Sequence, residues 1–316
     1  MPVYDKIVVV TKKTFLEELV ERFNTRDQAR FYIEHMGGDF SEYEAAHEAY
    51  QAAVALLKKA MPRGVRTHWI DRGFLPTFLF GSNDLVVTVG PDGLVVNTAK
   101  YLDGQPLLAF NPDPSRIDGV LIPFPVSSAS PVLASAIEDA YPKRTITMAK
   151  ATLNDGRSIL AVNDLFIGQK THVSARYLLK HDGREEAQSS SGIIVSTGAG
   201  STGWYRSILS GAAGVLSVVT DRPHILELRE HYQFDAEDEC LVFSVREPFA
   251  SRTSGDSLVH GEITSTTPLV LVSRMPQNGV IFSDGVEEDF LEFNSGSIAT
   301  VTIANRKLLL MHAGHD

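Results

Sequence analysis

The chain has 316 residues, a formal net charge of -10 and a single cysteine, Cys240. The acidic balance argues against a general nucleic-acid binder, which needs a basic face to neutralise phosphates, and leaves small anionic nucleotides as partners for a local cluster. One cysteine excludes an intramolecular disulfide, no apolar run reaches the length of a membrane span, and the start MPVYDKIVVVTKKT lacks the layout of a secretory signal, so a cytoplasmic protein of about two domains is expected.

Lys6 to Thr11 reads as a buried strand, Phe15 to Phe23 as a helix, and Glu42 to Met61 as a long amphipathic helix stopped by Pro62, Arg63 and Gly64. Leu85 to Val89 is short, apolar and β-branched, and it closes on the turn Gly90-Pro91-Asp92-Gly93. Leu94 to Leu102 has helical apolar spacing, and Pro106 to Phe110 is another apolar run, ending in Asn111-Pro112-Asp113-Pro114. Strand, turn, helix, strand is the unit from which parallel sheets are built. In such sheets ligands lie beyond the carboxyl ends of the strands, where Asp92 and Asn111 would project. Asp92 and Gly93 also suit any turn as plain turn formers, and the segment alone leaves both readings open. Pro123 to Pro131 reads as a crossing between domains, followed by a helix from Pro131 to Ala140.

From Thr145 onward the apolar runs alternate or are β-branched: Thr145 to Leu153, Ser158 to Phe166, Val173 to Lys180, Ile193 to Ser196, Cys240 to Val245, Leu269 to Val272 and Ile298 to Ile303. Asn154-Asp155-Gly156 and His181-Asp182-Gly183 are hairpin signals. The division expected is α/β plus all-β: residues 1–140, with the tail 304–316 as a candidate addition, and then 141–303. Cys240 falls in an apolar run and reads as a buried, inert thiol. His172, His181, His224, His231 and His260 lack metal-ligand spacing, and His312 and His315 fall in a tail expected to fray, so no metal-ligating set is assigned.

Gly198-Ala199-Gly200-Ser201-Thr202-Gly203 matches the dinucleotide fingerprint G-x-G-x-x-G. It follows the strand Ile193 to Ser196 and precedes a helical segment, Trp204 to Leu209. Val215 to Thr220 reads as the next strand, with Asp221 where a ribose-binding acid would stand. That layout admits a hydride-transferring dehydrogenase, although hairpin strands precede the loop where the fingerprint normally opens a βαβ unit. A purely structural loop, with Ser201 or Thr202 capping the helix, is the other reading. No G-x-x-x-x-G-K-[ST] occurs, which argues against a P-loop kinase.

Strand-GPDG-helix followed by NPDPSRIDG resembles the Gly-Gly-Asp-Gly motif of the NAD kinase family and the Asn-rich turn after it. Ala161-Val162-Asn163-Asp164 is similar to the family's Asn-Glu motif, IIVSTGAGSTGWY (193–205) to its strand and Ser/Thr-Gly loop, and Ser283-Asp284-Gly285 to a later turn. These pieces fall in the family's order over about residues 84 to 303. The resemblance implies an N-terminal Rossmann-like α/β domain and a C-terminal β-sandwich domain, assembled as homo-oligomers through the latter. It implies transfer of a phosphoryl group from ATP or another polyphosphate donor, with Mg²⁺, to the 2′-hydroxyl of the adenosine ribose of NAD(H).

On this resemblance Asp92 is the candidate base, Gly90 and Gly93 expose amides to phosphates, and Asn111 and Arg116 orient phosphates. Asn163 meets the adenine edge and Asp164 the ribose hydroxyls. Thr197, Gly198, Gly200, Ser201 and Thr202 line the rest of the dinucleotide pocket, with Tyr205 stacking on it or walling it. The chain departs from the family at Pro91, which has no amide proton, at Leu94 in place of a threonine, at Asp164 in place of glutamate, and at Ser190 and Ser191 in place of an acid. A kinase with another acceptor and a non-catalytic NAD- or ATP-binding protein therefore stand as alternatives.

Overall fold

The computed structural model describes residues 3–222 and 232–314, so His224, His231 and His315 lie outside the described residues. The chain divides into two compact units, one of residues 1–144 with 309–316 and one of residues 145–308.

The first unit begins with β1 (Lys6–Thr11), α1 (Phe15–Phe23), α2 (Arg26–His35), α3 (Phe40–Ala60) and β2 (Arg66–Asp71), and continues with β3 (Asp84–Val89), α4 (Asp92–Ala99), β4 (Pro106–Asn111), β5 (Phe124–Pro125) and α5 (Ala129–Ala136). All its strand pairings are parallel: β1 lies between β2 and β3, β3 pairs β4, and β4 pairs β5. The order is thus 2-1-3-4-5, a doubly wound arrangement in which the chain reverses direction across the sheet between β1 and β3. β3 and β4 are buried at every position, which explains their unbroken apolar reading. On α3 the buried residues Tyr50, Ala53, Val54 and Leu57 recur at helical spacing and pack with Ile7, Val9, Leu85 and Val87 of the sheet. Thr14 starts α1 with a capping box: its hydroxyl accepts from the Glu17 amide at 3.3 Å, and its own amide donates to Glu17 Oε2 at 2.7 Å.

The second unit contains β6 (Lys143–Leu153), β7 (Ser158–Ala161), β8 (Asp164–Gln169), β9 (Ala175–His181), β10 (Arg184–Ser190) and β11 (Ile193–Ser196). After them come α6 (Trp204–Val219), β12 (Leu241–Val245), β13 (His260–Ile263), β14 (Leu269–Ser273), β15 (Gly279–Ser283), β16 (Val286–Glu292) and β17 (Ile298–Met311). β13-β12-β11-β8-β15-β16 form an antiparallel sheet of six strands. A second antiparallel set joins β10, β9, β14 and β17, and β6 pairs both β7 and β17. Leu165, Ile167, Val195 and Phe243 of one layer and Tyr177, Leu179, Leu271 and Val301 of the other share a single core. The fold class is therefore α/β plus all-β, as the alternation pattern predicts.

Two expectations are corrected. Val215 to Thr220 is not a strand: α6 runs unbroken from Trp204 to Val219, so the strand expected there to complete a βαβ unit after the glycine loop is absent among the described residues. β17 extends to Met311, well past Ile303, because Leu308, Leu310 and Met311 are buried. Its last residues belong to the first unit, where Leu309 and Leu310 pair with Pro106 and Leu107. Among the described residues no helix is long and apolar enough to cross a membrane.

Candidate functional site

In the second unit, Asn163 and Asp164 form the corner between β7 and β8, and a residue far along the chain holds that corner. The Asp284 carboxylate accepts from the amides of Val162, Asn163 and Asp164 at 3.1, 2.7 and 3.2 Å, and the Asp164 carbonyl in turn accepts from the Asp284 amide at 2.9 Å. The glycine loop is tied to the same corner: the Thr197 amide donates to the Asn163 carbonyl, and the Thr197 hydroxyl to that of Val162. Asn163 makes no side-chain hydrogen bond among the described residues, so its amide is available to a ligand.

Asp164 Oδ1 is buried and has no hydrogen-bond partner. Burial pushes this carboxyl up to about 7, opposed by the Ser196 hydroxyl and reinforced by the charge of Asp284. A buried acceptor left empty is a cost that a ligand hydroxyl would remove. Asp164 opens onto a cavity of about 430 Å³, within the usual range for small-molecule sites, bordered by Ser191, Trp204, Arg246, Phe282 and Asp284. Its wall is an aromatic row: Trp204 lies parallel to Phe166 at 5.9 Å, Phe166 to Phe282 at 6.1 Å, and the Arg246 guanidinium sits 5.5 Å from the Trp204 ring.

The glycines of the loop answer to the protein itself. A Cβ at Gly198 would lie 1.9 Å from the Asp235 carbonyl oxygen, and one at Gly200 would lie 2.2 Å from that of Asn163. Neither Ser201 nor Thr202 caps α6: the Ser201 hydroxyl is buried and donates to the Gly198 carbonyl, while Thr202 is exposed. Tyr205 is 2 % exposed, hydrogen-bonds the His260 ring at 2.9 Å and does not line the cavity; the neighbouring Trp204 does. Burial pushes the Tyr205 hydroxyl up to about 12, so it stays protonated. Cys240 is half-buried, and burial raises its thiol, with Glu262 and Asp238 adding to the rise, which fits an inert role.

In the first unit, Pro91 precedes α4 and Asp92 opens it. The Asp92 oxygens accept from the amides of Val120 and Leu121 at 3.1 and 2.8 Å, which pins the loop after β4. A carboxylate has about four lone-pair positions, so each oxygen retains capacity for a further donor. Gly93 is exposed, its backbone takes no left-handed conformation, and a Cβ there would meet nothing within 4 Å. The protein has no steric need of that glycine, and its bare backbone leaves the start of α4 approachable. Leu94 is 1 % exposed and closes on Gly90, where a Cβ would lie 2.8 Å from Leu94 Cδ2. Asn111 is buried and staples its own loop, donating to the Ile117 carbonyl at 2.8 Å and accepting from the Asp113 amide at 3.0 Å. Arg116 is half-exposed beside Asp113 at 3.7 Å.

Sequence reasoning assigned no role to Asp284, Trp204 or Arg246. The Ser283-Asp284-Gly285 turn was visible as a motif, but its clamp on Asn163 rests on pairing between β8 and β15 that no local pattern encodes.

The chain thus combines a parallel unit wound in the order 2-1-3-4-5 with a β-sandwich unit in which Asp164, one of whose carboxylate oxygens is buried without a partner, borders a cavity. No family model matches the chain. Its sequence is similar to human "NAD kinase 2, mitochondrial", at 22 % identity over 94 % of this chain and 81 % of that protein, and to the NAD kinase of Aromatoleum aromaticum, at 28 % over 66 % and 75 %. Its fold is similar to that of yeast NADH kinase complexed with NADH (TM-score 0.60, 15 % identity, 99 % of this chain and 84 % of that one). It is also similar to that of an Archaeoglobus fulgidus NAD kinase in complex with ATP (TM-score 0.56, 14 % identity, 96 % and 92 %). In sequence and in fold the chain is thus similar to NAD kinases.

Proposed function

We propose that the protein transfers a phosphoryl group from ATP or a related polyphosphate to the 2′-hydroxyl of the adenosine ribose of NAD(H), giving NADP(H). The observation that carries this reading is Asp164, which borders a cavity of ligand size, keeps a buried Oδ1 without a partner, and has its backbone held in place by Asp284. Asp164 would accept from ribose hydroxyls and the unbonded amide of Asn163 would meet the adenine edge. Phosphoryl transfer asks the protein for positioning and charge stabilisation rather than a covalent intermediate. Asp92 would accept the proton of the attacking hydroxyl with the lone pairs that Val120 and Leu121 leave open. The amide of Gly93, at the start of α4, would face phosphate oxygens.

Asn111 would reach a phosphate only through the second N–H of its amide. The roles assigned to Thr197, Gly198, Gly200 and Ser201 reduce to shaping the loop, with Thr202 as its exposed hydroxyl. Magnesium would arrive with the donor phosphates, since Mg²⁺ bound to a polyphosphate needs only one or two protein carboxylates. A homo-oligomer formed through the second unit is supported by exposed Val215, Leu216, Val218 and Val219 on α6, and sedimentation of the purified protein tests it. The lone cysteine suits the reducing cytoplasm, whereas the human relative is named as mitochondrial, and fractionation of a tagged chain decides the compartment.

The test is incubation with ATP, Mg²⁺ and NAD or NADH, with detection of NADP(H) by an NADP-specific dehydrogenase and Asp92→Asn run in parallel. Product that the substitution abolishes supports the kinase and its base. Binding of NAD without product would favour the non-catalytic reading, which the missing amide at Pro91 makes the natural second candidate.

A further inference from the structure

The ladder between β1 and β3 ends at the pair Val10 and Thr88. Where the two strands part, two backbone groups are left over: the Lys12 amide, directly after β1, and the Val89 carbonyl, the last of β3. Backbone polar groups taken out of water need partners. A single side chain supplies both. The Tyr50 hydroxyl, reaching in from α3, accepts from the Lys12 amide at 3.0 Å and donates to the Val89 carbonyl at 3.2 Å. Its ring packs with Val9, Leu85 and Val87 in the core of the first unit.

Burial pushes the Tyr50 hydroxyl up to about 12, with the Lys12 amide opposing, so it keeps its proton. A hydroxyl that gives its one proton to Val89 and a lone pair to Lys12 is a bridge rather than an acid or a base. The bridge has a consequence for the turn that follows β3. The peptide between Val89 and Gly90 is held at both polar ends, its oxygen by Tyr50 and its N–H by the Phe110 carbonyl at 3.3 Å. The chain after it is stiff: Gly90 lies closed against Leu94, Pro91 has its φ fixed by its ring, and Asp92 opens α4. Few soft dihedrals separate the clamped peptide from the Asp92 carboxylate.

We propose that Tyr50 is a positioning residue for Asp92. By clamping the end of β3 it holds the Asp92 carboxylate on the amides of Val120 and Leu121 and in line for the proton of the acceptor hydroxyl. The effect on turnover rests on the kinase reading, whereas the placement of Asp92 can be tested without it. Tyr50→Phe keeps the ring in the core and removes only the bridging oxygen, which leaves the Lys12 amide and the Val89 carbonyl unpaired.

In full-length protein Tyr50→Phe should lower kcat about tenfold or more and leave the KM values for ATP and NADH within about twofold, because a displaced carboxylate slows the chemical step without removing a binding contact. An unchanged kcat, or a loss carried by either KM, would overturn the proposal. Amide hydrogen exchange gives the second readout, since the Val120 and Leu121 amides donate to Asp92 and report where it stands. Their exchange should quicken about tenfold or more in the variant while that of Val9 and Val87, inside the sheet, stays within about twofold. No change at Val120 and Leu121, or equal quickening at all four amides, would reduce Tyr50 to a packing residue and overturn the proposal. If the wild type forms no NADP(H), exchange alone decides: the selective change upholds the placement while the kinase reading falls.

Discussion

Asp164 is in tension with its own fold. Its carboxyl stands at about 7 when folded, whereas an unfolded aspartate ionises near 4. Below about pH 4 both states are protonated and the residue is neutral toward stability. Between about pH 4 and 7 the native state holds a proton that the unfolded state releases, so stability falls as pH rises, and above about 7 the loss is complete. Asp164→Asn should therefore melt higher than the wild type at pH 8, by at most about 4 kcal/mol, with the gap closing toward pH 4. In kinetics, hydroxyl donors favour the ionised carboxylate, so the acceptor KM should fall as pH rises through 7 and lose that dependence in the Asn variant.

Gly93 offers the complementary case. Because nothing obstructs a side chain there, Gly93→Ala should leave the melting temperature unchanged or raise stability by up to about 1 kcal/mol, yet reduce kcat/KM by crowding the approach to the start of α4. A drop in both stability and activity would assign that glycine to folding alone. The sequence marked Asp164 and Gly93 as site residues through motif likeness. It could not rank them, because the partnerless oxygen of one and the open space over the other exist only once the chain is packed.

Among the elements, those that bury an unbroken or periodic apolar set were legible: β1, α1, α3, β3 and β4 fall close to their expected limits. The misses share a cause. α2 (RDQARFYIEH) buries only Ala29, and β10 (REEAQSS) is a polar strand paired on one side by β9, so tertiary contact rather than pattern decides both. α6 was cut short because Val215 to Val219 looks like a β-branched strand, while its exposed apolar face follows helical continuity. The glycine loop reads as a dinucleotide fingerprint, but its first two glycines are demanded by the backbones of Asp235 and Asn163. Gly198→Ala should accordingly destabilise the second unit by about 1–3 kcal/mol or more, measured by chemical unfolding, whether or not nucleotide is present. Thr14→Ala should cost about 0.5–2 kcal/mol through loss of the capping box on α1.

At the scale of the whole molecule, the first unit is completed by the other end of the chain. Leu309 and Leu310 add to β4, and Leu310 and Met311 are buried. Deleting residues 309–316 should raise amide exchange in β4 and β3 well above its full-length level, although the deletion lies some 200 residues from those strands in sequence. Alternation of apolar runs was enough to read the two classes of unit, but a returning strand carries no local mark of which sheet it will join.

The Asp284 clamp has a consequence for the order in which the protein is made. The residue that sets the Asn163-Asp164 corner lies 121 positions downstream of Asn163, on the turn after β15. A growing chain can bury much of the sandwich while that turn is still on the ribosome, but it cannot fix the three amides of the corner. The capacity to fix that corner thus arrives only once Asp284 has been made, and nascent chains stalled before Asp284 should be unable to bind nucleotide.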